Sequence, residues 1–126
     1  MLFLGLLLIA SFGYYYSSKS AYYERNSVKS GYVVLGFESH EFVPCNGYEE
    51  WWLTDDSVTL LFENYRALTS RDYQPIFVKV RGEASSKGSY GHGGGSDRLF
   101  SIVEVLEAST EKKKDCELNG MWSSYL

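Results

Sequence analysis

Residues 57 to 68 carry the one helical period in a chain whose other apolar residues recur by twos. Val58, Leu61, Phe62, Tyr65 and Leu68 stand at i, i+3, i+4, i+7 and i+10, which puts them on one face of a helix. Asp55, Asp56 and Ser57 precede them and supply an N-cap and first-turn negative charge, both favourable against the helix dipole. A helix with a single apolar face requires one surface to cover, and the flanking segments must build it.

Those segments read as strands. In "GYVVLGFES" Val33, Leu35 and Phe37 alternate on one face, and Gly36 interrupts them where a strand bends or bulges. "HEFVPC" is a second, short strand, ended by Pro44 and turned by Asn46-Gly47. "YEEWWLT" returns as a third, with Trp51 and Leu53 on one face and Trp52 on the other. Beyond the helix, "QPIFVKVRGEAS" sets Ile76, Val78 and Val80 against Phe77, Lys79 and Arg81, a strand with one wet face. "RLFSIVEVLEAS" is the fifth; Ile102 and Val103 are both apolar, so the alternation slips and a bulge near Glu104 is expected. Between strands four and five, "SSKGSYGHGGGSD" has five glycines and no core residue, the composition of a flexible loop. Aromatics at 17%, eleven of them tyrosine, suit pleated surfaces better than helices. The order predicts a mainly β fold, a five-stranded OB-fold-like closed barrel with one helix between strands three and four, plugging an end of the barrel.

The 126 residues make one domain by length. Leu2 to Phe12 is an eleven-residue apolar run, the size of a secretory h-region. Carried on to Tyr16 as a helix it reaches only ~22 Å, short of a ~30 Å hydrocarbon layer. No Lys or Arg precedes the run, and Tyr14, Tyr15 and Tyr16 resemble an interfacial belt. Small residues suit cleavage after Gly13 or Ser20. Ile9-Ala10-Ser11 begins like a lipoprotein box, but Phe12 stands in place of the cysteine and cannot be acylated. The expected layout is a signal peptide or short membrane anchor at 1–20, a linker at 21–30, the OB-fold domain at 31–118 and a C-terminal tail at 119–126. A membrane tether would run through residues 2–16. Export allows a disulfide, and with two cysteines it can only be Cys45–Cys116. Closing so long a loop contributes up to about 4 kcal/mol in the chain-entropy account.

The run "GFESHEFVPC…WWL…Y…QPIFVKVRGE…G…RLFSIVEVLE…C" resembles the C-terminal OB domain of NlpE-type bacterial envelope lipoproteins and their short stand-alone relatives. It spans roughly 31 to 116. The resemblance implies an extracytoplasmic address, in the periplasm or on the periplasmic face of the inner membrane. Phe12 departs from the lipoprotein pattern. The N-terminal CxxC domain of full-length members has no counterpart, so roles tied to that domain do not carry over.

A net charge of −4 repels polyanions, so nucleic acid is not an expected partner. His40 and His92 lie 52 positions apart and, even with Asp97, lack a metal-binding spacing; no metal and no cofactor are expected. The glycine-rich loop is not followed by the helix that a phosphate loop opens. With many serines and two histidines a catalytic triad can be imagined but not located, and Cys45 has a partner, so the chain is read as a non-enzyme. Tyr48, Trp51, Trp52 and Phe77 are candidates for an exposed stacking platform, although alternation hides some of them. Within the 83–97 loop Tyr90 and His92 are the only ring side chains, and Trp52 could extend their surface. Tyr90, His92 and Trp52 are therefore the candidate partner-binding residues. The expected function is a non-catalytic, exported OB-fold binding or scaffolding module of the cell envelope, its partner an unknown envelope protein or saccharide. The competing reading is a periplasmic inhibitor of the lysozyme-inhibitor type, presenting the 83–97 loop.

Overall fold

The computed structural model describes residues 26–119; the expected signal or anchor and most of the expected tail lie outside them. Strands β1 (Ser27–Gly36), β2 (Ser39–Pro44), β3 (Trp51–Leu53), β4 (Ile76–Ala84) and β5 (Arg98–Ser109) close a barrel in the order β1-β2-β3-β5-β4. Helix α1 (Asp55–Leu68) connects β3 to β4. β3 and β5 run parallel, and every other neighbouring pair is antiparallel. This is the OB-fold arrangement expected from the order of elements. β1 starts four residues before Gly31, so the end of the expected linker belongs to the barrel, with Ser27 paired to Gly82. Among the described residues no helix is long and apolar enough to cross a membrane.

Among the described residues, two apolar clusters hold the fold. The barrel interior is built from Val33, Leu35, Phe42, Leu53, Ile76, Val78, Val80, Phe100 and Ile102, and Leu61 and Tyr65 of α1 pack into the same cluster. Such burial is the main favourable contribution, at about 25 cal/mol per Å² of apolar surface. The helix is capped by Thr54, whose hydroxyl accepts the Ser57 amide, rather than by Asp55–Ser57; Asp55 and Asp56 fill the first turn as expected. Its buried face runs through Ser57, Leu61 and Tyr65. Phe62 is turned half into solvent, against expectation, because the face is centred one position away; the Arg66 guanidinium lies 5.6 Å over its ring.

The second cluster lies outside the barrel wall. Tyr32, Val34, Val43 and Phe77 are covered by Cys116 and Leu118 of the C-terminal segment. Phe77 is thus buried, and the outer face of β4 is dry where that segment crosses it. The Cys45–Cys116 disulfide, with Cα atoms 4.6 Å apart, fastens the segment down. Asn46, at φ 60°, adds a polar clamp: its amide donates to the Glu117 carbonyl, and its side chain accepts the Glu117 amide and donates to the Asp115 carbonyl.

Two further details differ from the sequence pattern. Phe37 falls in the tight β1–β2 turn rather than on the core face, because β1 ends at Gly36, where the Tyr73 ring occupies the space a Cβ would need. The register between β4 and β5 slips twice, passing over Val103 and Leu106, where one bulge near Glu104 was expected. Both passed-over residues are exposed. The apolar character of the bulged residues therefore does not mark the core.

Candidate functional site

The β4–β5 connection is not the unstructured loop that its composition suggests. It folds as an irregular hairpin. The amide of Gly88 donates to the Asp97 carbonyl, and Tyr90 and Ser96 exchange both of their backbone hydrogen bonds at 2.9 and 3.0 Å. Gly91, Gly93 and Gly94 adopt φ of 76°, 74° and 72°, so the glycines serve a left-handed turn rather than mobility. At Gly91 a second requirement applies: an added Cβ would sit 2.4 Å from the Trp52 ring, so the backbone rests directly on the indole.

That contact brings the three candidate binding residues together. Trp52 lies beneath the hairpin, with the His40 ring tilted against it at 5.2 Å, and Gly91, which rests on the indole, joins Tyr90 to His92. The Tyr90 ring closes over Gly88, and its hydroxyl reaches the Ser86 carbonyl at 3.3 Å. His92 projects outward and meets Glu38 of the β1–β2 turn at 3.4 Å. The expected stacking platform does not form: Trp51 packs into the barrel core, Phe77 into the outer cluster, and Tyr48 stands exposed by itself. The alternation of Trp51 inward and Trp52 outward is as read from the sequence, since Phe42 pairs with Trp51 and Glu41 with Trp52.

The residue that sequence reasoning passed over is Glu41. It shares a strand face with Trp52, and the hairpin covers both, leaving Glu41 9% exposed. The Ser96 hydroxyl lies 3.3 Å from each of its carboxylate oxygens. Burial pushes the Glu41 carboxyl up to about 7; the charges of Glu50 and Asp97 act in the same direction, and the Ser96 hydrogen bond opposes them. Glu50 is raised as well, by burial and by Asp97. Backbone bonds join those two: the Asp97 amide donates to the Glu50 carbonyl at 2.7 Å, and the Glu50 amide to the Asp97 carboxylate at 3.0 Å. Beside them Glu49 accepts from Arg98 at 2.7 Å and from the Trp51 indole at 2.8 Å, contacts that hold its carboxyl low.

A cleft runs between the β1–β2 turn and the hairpin, lined by Phe37, Glu38, Glu41, Glu50, Tyr73 and His92. Its exposed ring, Phe37, is 78% accessible. This is the side of the barrel on which OB folds bind ligands through the same two connections. Among the described residues no group of three or more His, Cys, Asp or Glu side chains could hold a metal ion, and His40, His92 and Asp97 do not converge as a ligand set. No family model, curated protein or solved structure matches the chain.

Proposed function

We propose that this chain is a non-catalytic, extracytoplasmic OB-fold module that binds a partner through the β4–β5 hairpin and the neighbouring β1–β2 turn. One observation carries the reading: Gly91 rests on the Trp52 ring, so Tyr90 and His92 are held in place on a rigid barrel beside the cleft of Phe37 and Glu38. A surface ordered before binding loses less entropy when it binds. The Cys45–Cys116 disulfide supports an address outside the reducing cytoplasm. The barrel order is consistent with kinship to the OB domain of NlpE-type envelope lipoproteins, which makes an envelope protein or a saccharide the partner class.

The test is a pull-down from envelope extract with the disulfide-bonded protein, followed by titration of the captured partner. Tyr90→Ala should weaken binding by roughly tenfold, the loss of one aromatic anchor, while the melting temperature stays nearly unchanged. Full affinity in Tyr90→Ala and in a variant with residues 84–96 replaced by a short Gly-Ser linker sinks the assignment of the hairpin. Retention of the partner only on a muramidase column would point instead to the inhibitor role.

A further inference from the structure

Besides the rest of Gly91 on the Trp52 ring, three of the contacts that fasten the hairpin to the barrel involve a carboxylate. At the tip, His92 meets Glu38, an ion pair only while the imidazole is protonated. In the middle, Ser96 sits on the Glu41 carboxylate, beneath the turn that covers Trp52. At the base, the Asp97 amide donates to the Glu50 carbonyl and the Glu50 amide to the Asp97 carboxylate, which brings two more acidic groups toward Glu41. Among the described residues no lysine or arginine lines the cleft around Glu41; at the hairpin base Arg98 is engaged by Glu49, the carboxylate on which Lys87 also acts. Tyr73, from the connection between α1 and β4, completes the lining and points its hydroxyl at the Phe37 carbonyl.

We propose that Glu41 is a proton-operated latch for the 85–97 hairpin. With Glu41 neutral, the hairpin lies closed over Trp52 and Glu41. With Glu41 charged, an anion without a cationic partner is buried beside Glu50 and Asp97, and opening the hairpin returns it to water. The Ser96 hydroxyl offsets this only in part. The closed form binds the proton more tightly than the open form, so raising the pH must favour opening. With the carboxyl at about 7 closed and at its ordinary 4.5 open, the open fraction grows about tenfold between pH 6 and pH 8. The latch concerns the conformation of the hairpin. It rests on the proposed binding function only for its consequence, which is that the partner surface is assembled in mildly acidic and neutral surroundings and loosened in alkaline ones.

Backbone amide exchange of the intact, disulfide-bonded protein tests the latch without any partner. Protection factors at Gly88, Tyr90, Ser96 and Asp97, corrected for the intrinsic pH dependence of exchange, should fall about tenfold from pH 6 to pH 8, while those of β1 and β4 hold. Glu41→Gln, a neutral group of the same shape, should remove that fall and keep the hairpin protected at pH 8. His92→Gln should leave the fall in place. Protection that is flat with pH in the wild type overturns the latch. So does a fall that persists in Glu41→Gln and vanishes in His92→Gln, because the tip ion pair would then be the switch. Should Glu41→Gln not fold, carbon-detected titration of the wild type decides: the Glu41 carboxyl and the hairpin amides must share one midpoint, and separate midpoints reject the proposal. Loss of the latch with Tyr90-dependent binding intact would leave the function standing, and the reverse result would leave the latch standing.

Discussion

The Ser57 hydroxyl accepts the Ile102 amide at 2.7 Å, joining the first turn of α1 to β5 next to the bulge at Val103. Ser57 is fully buried and also touches the Thr54 hydroxyl at 2.7 Å, so one side chain serves both the helix cap and the barrel wall. Where the ladder slips past Val103, this hydroxyl gives the β5 backbone a partner. Ser57→Ala would strand a buried N–H and should cost about 1–3 kcal/mol. Urea unfolding with an unchanged m-value measures it, and a loss under 0.5 kcal/mol would contradict the account.

Cys45 and Cys116 hold down the segment that covers Tyr32, Val43 and Phe77. Cys45→Ala and Cys116→Ala should each lower stability by a similar amount, up to about 4 kcal/mol, and the double variant little more than either. Non-reducing mass mapping of protein taken from its native compartment should recover the linked peptide. Two free thiols there would refute the bridge.

Gly91→Ala combines a left-handed backbone with a Cβ driven into the Trp52 ring, so it should detach the hairpin at a cost above about 1 kcal/mol. Gly95→Ala is the control. Gly95 has helical φ, and its Cβ would meet nothing within 4 Å, so the change should be neutral or stabilising by ~0.5 kcal/mol. Amide exchange across 85–97 separates the two, and equal effects would mean that the Trp52 contact is unimportant.

Global stability should carry the same proton linkage. The folded-state carboxyl of Glu41 is raised, so its contribution is fully present below about 4.5 and is lost as the pH climbs through about 7. Glu49, held low by Arg98 and Trp51, contributes in the opposite sense, with its share lost as the pH falls below the ordinary glutamate range. Thermal unfolding between pH 5 and 8 should therefore show a decline in the wild type that is shallower in Glu41→Gln. Parallel curves for the two proteins would exclude Glu41 as its source.

From the sequence alone, the period of three to four at 57–68 between runs of period two determined the class of fold, because each element can bury only the face its spacing provides. The inward Trp51 and outward Trp52, and the pairing of Cys45 with Cys116, were legible for the same reason: alternation and a count of two leave little freedom. Tertiary structure alone decided what lies on the outside of the wall. Phe77 reads as the wet face of β4 until residues 116 to 118 return from far along the chain to cover it. The glycines of the β4–β5 hairpin read as slack until the Trp52 ring and three left-handed backbone positions account for them. Nothing in the sequence singles out Glu41 until Ser96, 55 positions away, closes over it. Local spacing records which face a side chain takes; only the long-range return of the chain sets what that face meets, and the burial of Glu41 follows from that meeting.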